Sequence, residues 1–222
     1  MDFNNIIIFS PPRTGSTLLY NIFKSVFTDK LITKTHDFVY NTNDLFVVTI
    51  REPYNCILSI LMCNEVTTDP VNNNNNLTNA YINFMERGGK DYIDNITNIL
   101  TCKNVIVLNY DKFVHNYDYI FQIIENKISM TISNSQKIEI YDKNNINSVN
   151  NLTNKFNSFK EYCSDTQYHG KHISKYAGMT DYTQILSKSQ IEFLNNMNEL
   201  SLITGSIIKI DQINSKYYKK TI

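Results

Sequence analysis

The feature that most constrains this chain is a short apolar run that breaks into a polar, proline-led loop and resumes as a helical pattern. Residues 4 to 9, NNIIIF, end in four successive apolar side chains, which suits a strand buried on both faces. Ser10-Pro11-Pro12-Arg13-Thr14-Gly15 follows, and from Ser16 to Phe27 apolar residues recur at helical spacing. A strand that enters a helix this way aims several backbone N–H groups, and the positive end of the helix, at one point in space. Gly15 permits close backbone approach there, beside Pro12. Arg13 adds a fixed charge with several donors, and Thr14, Ser16 and Thr17 supply hydroxyls. A polar turn with a capping serine accounts for the same residues without any ligand. The loop is not of the Walker type, because Gly15 directly precedes Ser16 where an ATP or GTP loop requires a lysine.

The rest of the chain repeats the alternation. Leu31 to Thr35 and Leu45 to Ile50 are short runs rich in β-branched residues, and the second passes through Arg51-Glu52-Pro53 into an apolar helical pattern, Tyr54 to Met62. Asn72 to Asn76 reads as a solvated loop before a long helical region, Leu77 to Leu100, interrupted at Gly88-Gly89. Asn104 to Asn109 carries the buried-strand run VIVL, with helical stretches near Phe113 to Lys127. Residues 141 to 165 are polar, Asn-rich and without period, which predicts an irregular insertion or mobile cap. A glycine-containing loop, Tyr168 to Gly178, a helix from Ser187 to Leu200 and a basic tail, Lys216 to Lys220, complete the reading. Alternating strands and helices over 222 residues predict one α/β domain, a P-loop-like parallel sheet flanked by helices.

Lys plus Arg and Asp plus Glu both number 21, so the sequence implies no general attraction to nucleic acid or to an anionic membrane, and any anion site must be local. Cys56, Cys63, Cys102 and Cys163 form no CxxC pair, which fits a reducing, cytoplasmic setting. The apolar run before the loop is too short for a signal peptide or membrane span. No metal-ligand cluster is visible in the sequence.

Three segments together resemble the PAPS-dependent sulfotransferase family, whose co-substrate is 3′-phosphoadenosine-5′-phosphosulfate (PAPS) and whose nucleotide product is PAP. SPPRTGSTLLYNIF is similar to the loop that binds the 5′-phosphosulfate. Arg51-Glu52-Pro53, at the end of a strand and with Ser59 eight residues beyond the arginine, resembles the 3′-phosphate motif. Lys34-Thr35-His36 is similar to the KTH signature that holds the catalytic base. A neutral histidine suits removal of a proton from an attacking hydroxyl, and Lys34 suits charge developing on the transferring group. Asp37 is the alternative base. Taken singly, Arg51 also reads as a surface ion-pair residue, Ser59 as a neutral helical residue and His36 as a polar loop residue.

Two looser likenesses follow. Val107-Leu108-Asn109-Tyr110-Asp111 resembles the strand whose tyrosine lies near the adenine, and Gly170-Lys171-His172, with Gly178 beyond, resembles the loop that closes over the 3′-phosphate. The resemblance thus implies catalytic roles for His36, Lys34 and Arg13. It implies co-substrate contacts from Pro12, Arg13, Thr14, Gly15, Ser16, Thr17, Arg51, Ser59, Tyr110 and Lys171. It also implies sulfonate transfer to a hydroxyl of a small-molecule or glycan acceptor, with no nucleic acid, membrane or metal involved. The rival readings are a P-loop small-molecule kinase, which would need a Walker lysine and a magnesium carboxylate, and a non-catalytic nucleotide-binding protein.

Overall fold

The structure is a computed structural model that describes residues 3–37, 43–63, 74–89, 91–170, 178 and 180–218. Four strands, β1 (Asn5–Phe9), β2 (Leu31–Thr35), β3 (Leu45–Ile50) and β4 (Val105–Asn109), form one parallel sheet in the order β2-β1-β3-β4. The register pairs Ile6 with Ile32 and Leu45, and Val47 with Ile106. Period-two alternation splits the strand side chains between two cores. Ile6, Ile8, Leu45, Val47, Ile106 and Leu108 face one side, and Ile7, Phe9, Phe46, Val48, Val105 and Val107 the other. This is why the strands read as continuous apolar runs rather than alternating ones.

Each face is covered by helices. The first core takes Leu19, Ile22 and Phe23 of α1 (Ser16–Val26), Phe113 of the single turn α5 (Tyr110–Phe113), and Ile120, Phe121 and Ile124 of α6 (Tyr117–Ile128). The second takes α2 (Pro53–Cys63), α3 (Asn74–Phe84) and α4 (Tyr92–Leu100), closed by α9 (Lys188–Asn195) and α10 (Asn198–Tyr218). Between α3 and α4 the turn Met85–Gly89 leaves helical geometry at Arg87 (φ −93°, ψ 23°) and Gly88 (φ 116°), where the sequence places its interruption.

Three expectations need correction. Asn74 to Asn76, read as part of a solvated loop, are the first turn of α3, while residues 72 and 73 lie outside the described residues. Residues 141–165 are not irregular throughout: α7 (Asn134–Asn144) and α8 (Ile146–Thr153) occupy the first half, and Ser133 and Asn145 cap them by accepting the N–H groups of Gln136 and Ser148. Helix α7 buries only Ile140 and Asn144, so it has almost no apolar stripe to read. The single helix expected from Ser187 to Leu200 is two, divided at Asn196-Met197, and the second continues through Tyr218 into the region taken for a basic tail.

The strand order places the switch point at β1. The chain leaves β1 to one side for β2 and then crosses to the other for β3, so the crevice beyond the carboxyl ends of these strands is open to a ligand. Because the strands are parallel, Ser10, His36, Arg51 and Tyr110 all emerge at that edge.

Candidate active site

The loop between β1 and α1 is held by its own side chains. Gly15 caps α1 in the left-handed region (φ 89°, ψ 15°) with no side-chain cap, and Arg13 is also left-handed (φ 69°). A non-glycine residue in that region carries strain of about 1–3 kcal/mol, and neighbouring contacts fix it here. The Arg51 guanidinium donates to the Arg13 carbonyl at 2.7 Å, and Arg13 Nε donates to Ser59 Oγ at 3.0 Å. Arg51 is only 5% exposed and lies over the Tyr110 ring, 4.0 Å from its centroid. The Tyr110 ring also meets Phe113 edge-on at 5.4 Å.

Lys34 and His36 approach from β2. Lys34 Nζ donates to Thr17 Oγ1 at 3.0 Å, and burial lowers its pKa from the ordinary lysine value. His36 Nδ1 lies 2.6 Å from the Ser10 carbonyl. A carbonyl only accepts, so Nδ1 carries the proton and the neutral ring presents Nε2 as the acceptor. Burial lowers the His36 pKa below its usual 6.5, and the positive charges of Lys34 and Arg87 add to the effect, against the opposing pull of the Ser10 carbonyl and Asp37.

One cavity gathers these groups. Pro12, Arg13, Gly15, Ser16, Thr17, Lys34, His36, Arg51, Ser59 and Tyr110 all line it. Thr14 does not: it is fully buried, its hydroxyl donates to the Pro11 carbonyl at 2.8 Å and pairs with the Thr49 hydroxyl, so the side chain braces the loop from behind. The face of Tyr110 is partly taken by Arg51, which makes its ring a support for the guanidinium as well as a wall. Lys171 and His172 lie outside the described residues.

Several lining residues were not anticipated. Arg87 reaches the cavity from the kink between α3 and α4, and Asn144, Ile146 and Val149 come from α7 and α8. Tyr117, Phe159, Tyr168 and His169 continue the far wall, together with Gly178, which the sequence places in the loop beyond Gly170. Tyr117 donates to the Asn144 carbonyl at 2.8 Å and Tyr168 to Asn144 Oδ1 at 3.2 Å, while His115 donates to the Gly178 carbonyl at 2.6 Å. The wall is tied back to α1 by Asn21, which donates to the Thr166 carbonyl at 2.8 Å, and by Lys24, which donates to the Asp165 carbonyl at 3.1 Å. Among the described lining residues, Arg13, Lys34, Arg51 and Arg87 are cationic and none is a carboxylate. In a chain of zero net charge this is a concentration of positive charge in one cavity.

No protein-family model matches the sequence, and no curated protein matches it. Among solved structures, the chain is similar to a crystal structure of the mouse sulfotransferase SULT7A1 complexed with PAP. The TM-score is 0.55 and the identity 10%, and the match covers 87% of this chain and 82% of the mouse chain. A four-stranded parallel sheet flanked by helices gives this chain the sulfotransferase fold.

Proposed function

We propose that the chain transfers a sulfonate group from PAPS to a hydroxyl of an acceptor molecule. The observation that carries this reading is the cavity at the carboxyl edge of the sheet, where four separate sequence segments deliver cations and no described lining residue is a carboxylate. Two phosphate groups and a sulfonate demand such a concentration of donors. The PAP carried by the structurally similar mouse protein supports the same ligand class.

In this mechanism the loop N–H groups and Arg13 hold the transferring sulfonate in line with the acceptor, and Arg51 and Ser59 take the 3′-phosphate. The acceptor oxygen forms a bond to sulfur as the bond from sulfur to the 5′-phosphate oxygen breaks. The electron pair leaves with PAP, where Lys34 meets the growing charge, and the acceptor proton passes to His36 Nε2. Glu52, half-buried beside Arg51, accepts from Thr204 at 3.0 Å and belongs to the packing of α10 rather than to the chemistry.

Thermal denaturation with PAP, run beside ATP with magnesium, tests the ligand class. Free PAP at a hundredfold excess over its Kd is expected to add about 2.7 kcal/mol of stability, and ATP to add nothing comparable. Stabilisation by ATP alone would replace this reading with a kinase.

The His36 environment sets a pH expectation. Its pKa is lowered from 6.5, so the neutral, proton-accepting form persists as pH falls through 6.5 and is lost only below that value. The acidic limb of kcat/KM is therefore expected below pH 6.5; a limb centred above it would assign the base to another group.

A further inference from the structure

A second concavity, of about 480 Å³, opens beside His36. His36 and Arg87 line both cavities, so the two meet at the residue assigned as the base. Asp37, Glu86, Gly88, Asp91 and Asn95 form the remainder of its described lining. The volume lies within the range of small-molecule sites. We propose that this second cavity seats the acceptor, and that the acceptor is a non-anionic sugar; the assignment rests on the sulfonate-transfer reading above.

Position makes this a site, because a molecule seated here lies beside His36 at the junction with the cavity that the loop lines. The lining then selects the chemistry. No described lining residue has an aliphatic or phenyl side chain, so a phenol, steroid or lipid acceptor would bury apolar surface against polar groups and gain little. Adjacent sugar hydroxyls, by contrast, are donors and acceptors at fixed spacing. Asp37, Glu86 and Asp91 accept from them, and Arg87 and Asn95 donate to them. Charge narrows the class further: three carboxylates against one guanidinium disfavour a uronic acid or an already sulfated sugar.

The geometry is built by local structure. Asp37 is held in a turn in which its N–H donates to Thr35 Oγ1 at 3.0 Å, directly after β2. Arg87 is turned between the two cavities by the kink, whose Gly88 stands at φ 116°. Asp91 and Asn95 share one face at the start of α4, four residues apart, where the Asn95 N–H donates to the Asp91 carbonyl at 3.0 Å.

The test uses the full chain, radiolabelled PAPS and four acceptor classes: cellobiose and lactose, glucosamine, glucuronic acid, and 4-nitrophenol with 2-naphthol. Transfer to a neutral or amino sugar is expected at least about tenfold above transfer to glucuronic acid or either phenol. The double variant Glu86→Gln, Asp91→Asn is expected to keep its PAP affinity while the ratio of neutral sugar to glucuronic acid falls by about tenfold. Preference for a phenol or for glucuronic acid, transfer to none of the sugars by a chain that binds PAP, or an unchanged ratio in the double variant would each overturn the acceptor assignment. A chain that does not bind PAP overturns the sulfonate-transfer reading beneath it.

Discussion

Replacing His36 by alanine is expected to lower kcat by about 10²–10⁴-fold while leaving PAP affinity close to that of the parent chain. The two effects separate because of where the ring sits. Its Nδ1 is engaged with the Ser10 carbonyl, on the loop side, and its Nε2 is left for the proton of the acceptor. The cations Arg13 and Arg51 are anchored to Ser59 and to each other, and neither bond involves the imidazole. Rapid-mix turnover and PAP titration on one preparation resolve the two quantities. A His36→Ala chain with full turnover would transfer the role of base to Asp37, two bonds of the same turn away from β2; a chain that lost PAP binding instead would make His36 a support of the loop.

Gly15→Ala is expected to be strongly destabilising. Its backbone stands at φ 89°, and an added Cβ would lie 2.7 Å from both the Phe113 ring and the Tyr110 ring. Phe113 is fully buried and Tyr110 is braced by Arg51, so neither ring has room to retreat. Left-handed backbone and overpacking together cost about 2–5 kcal/mol, and a chain of this size loses about 2–4 °C of Tm for each kcal/mol. PAP affinity should fall as well, because displacing Tyr110 moves the guanidinium stacked on it. Gly205→Ala is the control: a Cβ there meets nothing within 4 Å, and alanine is the better helix former within α10. Equal Tm values for the two variants would sink the packing argument.

The local part of the site was legible in the sequence and the distant part was not. Pro12, Arg13, Gly15, Ser16 and Thr17 are consecutive or nearly so, and the strand-to-helix junction that carries them has a plain signature. Lys34, His36 and Arg51 each follow a β-branched run, so a parallel sheet alone brings them to one edge. Thr14 was read with its neighbours because hydroxyl chemistry is visible in sequence and the direction of a side chain is not; its partner Thr49 lies 35 residues away. Arg87 depends on a kink whose glycine was legible but whose consequence for the preceding arginine was not. Asn144 escaped for a physical reason: helix α7 is built on capping and on polar residues, and its two buried side chains do not make a period. The asparagine bias that made residues 141–165 look irregular also supplies the Asn145 cap that starts α8.

The bonds from Asn21 and Lys24 to the carbonyls of Thr166 and Asp165 bear on the order in which the chain assembles. All four strands of the sheet lie within the first 109 residues, whereas the far wall of the cavity, apart from Tyr117, comes from residues 144 to 169 and Gly178, and closes onto α1 across separations of 145 and 141 residues. Contacts of such long range form late, since each needs a large loop to close before it contributes, even though each doubling of loop length adds only about 0.6 kcal/mol. Every strand of the sheet and the loop after β1 are therefore synthesised before most of that wall. A chain emerging from the ribosome carries the loop after β1 early and can complete the cavity wall only after residues 144 to 169 and Gly178 have been made, so forming the sheet and enclosing the cavity are separate events in its maturation.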